Sequence, residues 1–248
     1  MPFHTAAYHE SIDSTTLVSV DAVQDGILAE RDDKFVMRRD TSLRYACAVG
    51  ADIAQALIDA PTFKQEFDPN LPHLNGAATL PNPVRLNVFE EGLFDLPKNE
   101  NLDFQAANAS AGANDISFIT GLMFDKRPAP AGMPLWFRGT STATSVVDTW
   151  TQIDMTWQQN LPNGVYSVIG GYAIAATTLG FRLIVEGHDY YPGGLVYPAA
   201  TSWFHPLFQN GGLGEWITFE SQYPPNIQVL SQSAVSVFTV YLQLVKIR

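Results

Sequence analysis

Short apolar runs bounded by glycine, proline and asparagine recur along the whole chain, while the 3.6-residue spacing of an amphipathic helix is scarce. The predicted strands are 16–20, 34–37, 42–49, 84–89, 102–107, 116–124, 146–157, 165–173, 180–186, 194–197, 215–219, 227–230 and 234–247. One short helix is predicted over 52–58, where Ile53, Ala56 and Leu57 share a helical face before Pro61. The pattern therefore predicts an all-β protein with one short helix.

Three segments of the first half resemble three segments of the second half, in the same order and at a nearly constant distance. SLRYACAVGADIAQAL, from Ser42, resembles GVYSVIGGYAIAATTL, from Gly164, which lies 122 residues later. GLFDLPKNENLDFQAANAS and EWITFESQYPPNIQVLSQS share a strand, a polar turn and a second strand, at a distance of 123 to 125 residues. DISFITGLMF and SVFTVYLQLV are 121 residues apart. The preserved order and spacing favour two similar β modules in tandem.

The size of these modules and the segment between them predict the domain organisation. Roughly 110 to 125 residues and seven or eight strands per module is the size of an eight-stranded jelly roll. DKRPAPAG follows the strongest strand of the first half and has the composition of a linker. We expect an N-terminal arm over 1–15, a first jelly roll over 16–127, a linker over 128–133 and a second jelly roll over 134–248.

The N-terminal segment predicts no targeting element. It lacks a positive region followed by an apolar one, and no apolar run in the chain reaches about 18 residues. We therefore expect neither a secretory signal nor a membrane span. Residues 1–13 show little core-forming pattern, so an extended or disordered arm is expected there.

Charge excludes one class of function. Fourteen Lys and Arg against 25 Asp and Glu give a formal net charge of −11, so a protein that coats nucleic acid is not expected. Charged residues make up only 16% of the chain, which favours a surface that contacts other protein. The first 124 residues carry eight basic and 18 acidic side chains, and the last 124 carry six and seven. Either acidic residues simply collect on exposed loops of the first half, or the second half contributes more to subunit contacts.

No motif predicts catalysis, a cofactor or a metal. The five histidines include no His-x-His pair, which a metal site on one strand requires. GTSTA, over 139–143, lacks the final glycine of a nucleophile elbow. Cys47 is the single cysteine, lies in an apolar run and is predicted to be buried and unreactive. The chain is therefore interpreted as a protein that is not an enzyme.

Aromatic residues crowd the second half, and some of them are expected to anchor neighbouring subunits. We predict a subunit interface that includes Trp136, Trp203, Phe204 and Phe208. The remaining aromatic residues are expected to fill the core between two sheets.

With two jelly-roll-sized modules, repeated strand–turn–strand units and a proline linker at 128–132, the chain resembles the double jelly-roll major capsid proteins of icosahedral tailless viruses, the bacteriophage type included. The resemblance implies two jelly rolls side by side and a pseudo-hexagonal trimer that tiles an icosahedral shell. It implies a structural protein of the virion capsid, assembled in the host cytoplasm without a cofactor. The implied partners are further copies of the chain in the trimer and in neighbouring trimers, minor capsid or vertex proteins and an internal membrane, but no specific nucleic-acid sequence.

An alternative function also stays open. A carbohydrate- or receptor-binding β-sandwich of a virus would use His188, Tyr190 and Trp203 as sugar contacts. The basic cluster RRDTSLR, over 38–44, is interpreted as a salt-bridged surface or as a contact to lipid headgroups or genome.

Overall fold

The computed structural model describes residues 3–61, 71, 73–75, 87–88, 94–125, 127–198, 205–234 and 237–248. In these residues the protein is all-β, as predicted, and it also contains a 3₁₀ turn, Pro206–Phe208. The chain divides into two compact units. The first unit is Ala6–Phe124, and the second is Asp125–Arg248 together with Met1–Thr5. The predicted linker, 128–133, lies within the second unit.

Twenty strands are described, and most lie where alternation predicts them. The first eleven are β1 (Phe3–Ile12), β2 (Val18–Val20), β3 (Ala29–Arg31), β4 (Lys34–Val36), β5 (Thr41–Gly50), β6 (Ile53–Asp59), β7 (His73–Asn75), β8 (Asn87–Val88), β9 (Asp95–Leu96), β10 (Asn101–Asn108) and β11 (Asn114–Met123). The others are β12 (Leu135–Ser141), β13 (Thr151–Ile153), β14 (Thr156–Trp157), β15 (Val165–Ile174), β16 (Thr178–Ile184), β17 (Gly193–Tyr197), β18 (Ile217–Glu220), β19 (Asn226–Ser231) and β20 (Phe238–Lys246). The predicted strand 84–89 falls largely outside the described residues.

The strands of the first unit form two sheets. One sheet has the order β1-β11-β5-β7, and β8 and β9 also pair with β5. The other has the order β2-β10-β4-β3, and β6 pairs with β10. The last strand, β11, therefore lies between the first strand and the central strand β5.

The second unit repeats this order. One part of its sheet runs β12-β20-β15, with β18 on the other side of β15, and a second part runs β13-β19-β16-β17. The two parts are joined by a short parallel contact of β15 with β17, at Ala173–Val196 and Ile174–Tyr197. The series β1-β11-β5-β9 corresponds to β12-β20-β15-β18, and β2-β10-β6 corresponds to β13-β19-β16. The three pairs of similar sequence segments therefore fall on equivalent strands of the two units. The matching pairs are β5 with β15, β6 with β16, β10 with β19 and β11 with β20.

Aromatic side chains fill the core of each unit. In the first unit Tyr8 packs against Phe35 and Phe104, and its hydroxyl donates a hydrogen bond of 2.6 Å to the carbonyl of Leu102. In the second unit Trp216 is fully buried, and its ring lies 6.3 Å from that of Phe208. Burial of rings of this size is a dominant stabilising contribution in a β-sandwich.

The predicted helix over 52–58 is wrong, because this segment is the strand β6. It pairs antiparallel with β10, and the register shifts where Ala107 and Asn108 face Gln55 and Ile53. This bulge leaves Ala54 and Gln55 both exposed between buried residues, so the alternation is broken. The resulting spacing of apolar residues imitates a helix, while the hydrogen bonds to β10 decide the conformation.

The arm expected over 1–15 is instead occupied by the strand β1, and most of its residues are buried. Its first residues belong to the second unit, where Thr5 donates a backbone hydrogen bond of 2.9 Å to Tyr191 and His4 Nδ1 accepts one of 2.9 Å from the Tyr191 N–H. The polar composition concealed the strand, because His4 and Thr5 are buried with their polar groups hydrogen-bonded.

Carboxylates on three neighbouring segments of the first unit repel one another. Burial, with the nearby charges of Asp21 and Asp33, raises the pKa of Glu10 on β1. Burial, with the charges of Asp33 and Asp103, likewise raises the pKa of Asp21. Glu10 Oε2 is buried without a hydrogen-bond partner among the described residues. The ionised form of Glu10 therefore opposes folding.

Replacing Glu10→Gln should stabilise the protein at pH 7 by about 0.5 kcal/mol, the scale of an exposed pair of charges. Because the folded-state pKa of Glu10 lies above its unfolded value, the penalty is complete above the folded pKa and vanishes below the unfolded one, near about pH 4. Urea unfolding of the wild type and the variant at pH 7 and at a pH below about 4 measures the gain in the free energy of unfolding. Asp115→Asn removes an exposed carboxylate elsewhere and is the control. An equal gain at both pH values would contradict the repulsion.

Candidate functional site

An aromatic patch on the sheet of the second unit is the strongest candidate for a functional surface. We define it as Trp136 and Arg138 on β12, Tyr172 on β15 and Tyr241 on β20. Trp136 is 44% exposed, and the other three side chains are partly exposed. The Tyr172 and Tyr241 rings stack with centroids 4.9 Å apart, and the Trp136 ring meets that of Tyr172 edge-on at 5.7 Å.

Strand pairing builds this patch. Arg138 faces Tyr241 across β12 and β20, and Tyr241 faces Tyr172 across β20 and β15. The three side chains therefore form one row across the sheet. Neighbouring residues on the same strands, Phe137 and Leu242, point the other way and are buried in the core.

Arg138 gives the patch a positive charge. Its guanidinium carbon lies 5.5 Å from the centroid of the Tyr241 ring, a cation–π contact. In the part of the chain that the structure describes, its side chain has no carboxylate partner, and Nε donates no hydrogen bond. Burial and the adjacent Tyr241 raise the pKa of Tyr172, although Arg138 lowers it, so Tyr172 is neutral at neutral pH. The patch therefore combines contacting aromatic rings with one positive charge.

The patch ends where the loop that follows the 3₁₀ turn Pro206–Phe208 covers the sheet. Gln243, two residues beyond Tyr241 on β20, is buried, and its amide hydrogen-bonds with Asn210 at 3.0 Å and with the Asn210 N–H at 2.6 Å. Gly170 leaves room for this loop, because a Cβ there would lie 2.6 Å from the carbonyl of Phe208. One end of the outer sheet face is thus covered within the unit, whereas the side chains of the aromatic patch are partly exposed.

The four predicted interface residues fall in different environments. Trp136 is exposed and belongs to the aromatic patch. Phe208 cannot contact a neighbouring subunit as predicted, because it is 1% exposed and packs against Trp216 and beside Gly194 in the core of its own unit. Trp203 and Phe204 lie outside the described residues, so their role stays a prediction.

Sequence reasoning missed Arg138, Tyr172 and Tyr241. Alternation along each strand marks Tyr172 and Tyr241 as outward-facing, because each stands between buried residues. Their adjacency depends on the register between β15 and β20, which contains a shift between Val168 and Gly170. No pattern within a single strand carries that information.

Two residues that the sequence singled out for chemistry or binding, Cys47 and Tyr190, are buried. Cys47 is buried, as predicted, and burial raises the pKa of its thiol to about 12. Tyr190, assigned to sugar binding in the alternative function, is 2% exposed and packs against His188. The structure shows no cluster of His, Cys, Asp and Glu in these residues that could bind a metal. Their helical content includes nothing long and apolar enough to cross a membrane.

Two solved structures are similar to this chain over nearly its whole length. One is the STIV MCP, with 11% sequence identity, 97% of each chain covered and a TM-score of 0.22. The other is the major capsid protein P2 from Bacteriophage PM2, with 10% identity, 99% of this chain and 98% of P2 covered, and a TM-score of 0.22. No protein-family model and no curated protein matches the sequence. We therefore derive the function from the strand order and the surface of this chain.

Replacing Phe208→Ala should lower the free energy of unfolding by about 3–5 kcal/mol, because it leaves a cavity beside Trp216. Trp136→Ala should cost less than about 1 kcal/mol, since its ring is partly in solvent already. Chemical denaturation of both variants separates a core residue from a surface residue. Equal losses in the two variants would contradict this assignment.

Proposed function

We propose that each unit is an eight-stranded jelly roll, which makes the chain a double jelly roll. The strand order supports this proposal. In the second unit β12-β20-β15-β18 and β13-β19-β16-β17 form two sets of four strands in the alternating order of that fold. The described strands of the first unit follow the same order in β1-β11-β5-β9 and β2-β10-β6.

The proposed function is that of a structural viral capsid protein that forms pseudo-hexagonal trimers. The observation that carries it is the repetition of one strand order in two units of a single chain. Three copies of such a chain present six similar units around one axis, and a ring of this shape tiles a shell with neighbours on six sides. A protein built from one unit would need six copies to do the same.

The aromatic patch is the proposed contact surface within the trimer. Rings fixed by stacking lose little conformational entropy on association, and aromatic and arginine side chains are enriched at the centres of protein interfaces. A threefold contact is heterologous, so the patch must meet a different surface of the next copy. The excess of acidic residues in the first half of the chain supports that half as the partner surface for Arg138.

The wider setting follows from the same proposal. A shell subunit acts in the virion, and it meets neighbouring trimers through many weak contacts that add by multivalency. Minor capsid or vertex proteins and an internal membrane are its proposed further partners, with assembly in the host cytoplasm. The proposed role requires no cofactor and no catalytic residue.

Light scattering coupled to size-exclusion chromatography, with negative-stain microscopy of the same fractions, tests this function. The expected result is a trimer or a closed shell. Trp136→Ala with Tyr241→Ala should raise the concentration needed for assembly at least about tenfold, the effect of losing a binding hot spot. Val146→Ala trims an exposed apolar side chain that belongs neither to the patch nor to any proposed binding site, and it is the control. A monomer at every concentration would refute the function, and a trimer unchanged by the double variant would remove only the patch.

A further inference from the structure

The second unit also carries a concave surface, and none of the residues of the aromatic patch line it. It is an open groove of about 910 Å³. Its walls are the turn between β13 and β14, the loop after β16, strand β18 and the loop that leads from β18 to β19. A groove of this volume accommodates a ligand of several side chains and is much larger than a single ion.

The groove is lined by negative charge. Asp154, Glu186 and Glu220 come from three different walls and are all exposed. In the described structure their carboxylates have no ion-pair or hydrogen-bond partner. Arg248 is the cation that lines the groove with them. The lining therefore carries an excess of about two negative charges.

His188 also lines the groove and does not offset this charge. Burial lowers its pKa, and nearby Arg127 lowers it too, against the opposite effects of the Thr218 backbone and the charges of Asp189 and Glu215. The imidazole is therefore neutral at neutral pH. A concavity lined by one sign of charge concentrates field lines and attracts a ligand of the opposite sign.

An aromatic ring stands at the edge of the same groove. Tyr223 is 70% exposed, although it is a large side chain with substantial apolar surface. Pro224 and Pro225 follow it and restrict the backbone of the turn, and the Tyr223 N–H donates a hydrogen bond of 2.8 Å to the carbonyl of Glu220. The Tyr223 ring and Glu220 therefore line the groove from one and the same turn.

We propose that this groove binds an arginine-bearing segment of a partner protein. A guanidinium group stacks on an aromatic face and donates paired hydrogen bonds to a carboxylate, so Tyr223 and Glu220 together match it. Glu186 and Asp154 would receive further basic side chains of the same segment. The charge distinguishes this ligand from a neutral saccharide, which would not compensate three unpaired carboxylates. The inference goes beyond the capsid function and does not depend on it.

Binding of labelled tetra-arginine, tetra-lysine and tetra-glutamine peptides to the full chain, followed by fluorescence anisotropy, tests the proposal. Tetra-arginine should bind more tightly than tetra-lysine, tetra-glutamine should not bind, and affinity should fall as salt rises to roughly 0.15 M. The double variant Glu186→Gln with Glu220→Gln should lower the affinity for tetra-arginine at least about tenfold. Asp95→Asn with Asp115→Asn removes the same charge from exposed positions of the first unit and should leave binding within about twofold.

Tyr223→Ala gives an independent readout. It should reduce the preference for arginine over lysine, because stacking favours the planar guanidinium. The proposal would be overturned if the Glu186/Glu220 variant and the Asp95/Asp115 control weakened tetra-arginine binding equally. Binding would then follow the net charge of the protein alone. A neutral oligosaccharide that binds and competes at this groove would overturn it as well. Circular dichroism of each variant verifies that a loss of binding is not a loss of folding.

Discussion

The pairing of the last strand of each unit with its central strand is the constraint on which the rest of the structure depends. β11 pairs with β5, and β20 pairs with β15, in both cases antiparallel and along most of their length. These pairs join residues far apart in the chain, so each closes a long loop whose entropic cost the rest of the sheet must offset. Once the register is set, alternation decides which side chains enter the core and which remain outside.

The outer sheet face of the second unit shows the consequence of that register. Tyr172 and Tyr241 become neighbours because β15 and β20 pair, and Arg138 joins them from β12. Each of these residues alone is an ordinary exposed position of a strand. Together they form a stacked, positively charged surface, and the covered end beside Gln243 limits its extent. The proposed trimer contact and the proposed arginine groove thus have opposite charge and suit different partners.

Alternation and turn residues in the sequence predicted most of the strands well. The segment 42–49 was predicted as a strand and is β5, and 165–173 is β15. The error at 52–58 has a local cause, since a bulge opposite Asn108 disturbs the alternation that identifies strands. The buried N-terminal strand was missed for another reason. His4 and Thr5 satisfy their polar groups through Tyr191, which is distant in the sequence.

The sequence by itself determined the all-β class, the repeated order of strands, the inert cysteine and the absence of a recognisable catalytic motif. These properties depend on composition and on the pattern of residues that are close together in the sequence, so they can be read without the fold. Tertiary structure alone decided that Phe208 is a core residue, that Trp136 is exposed, and that carboxylates of three separate segments line one groove. Burial and proximity result from the register between distant strands, and no single segment encodes that register.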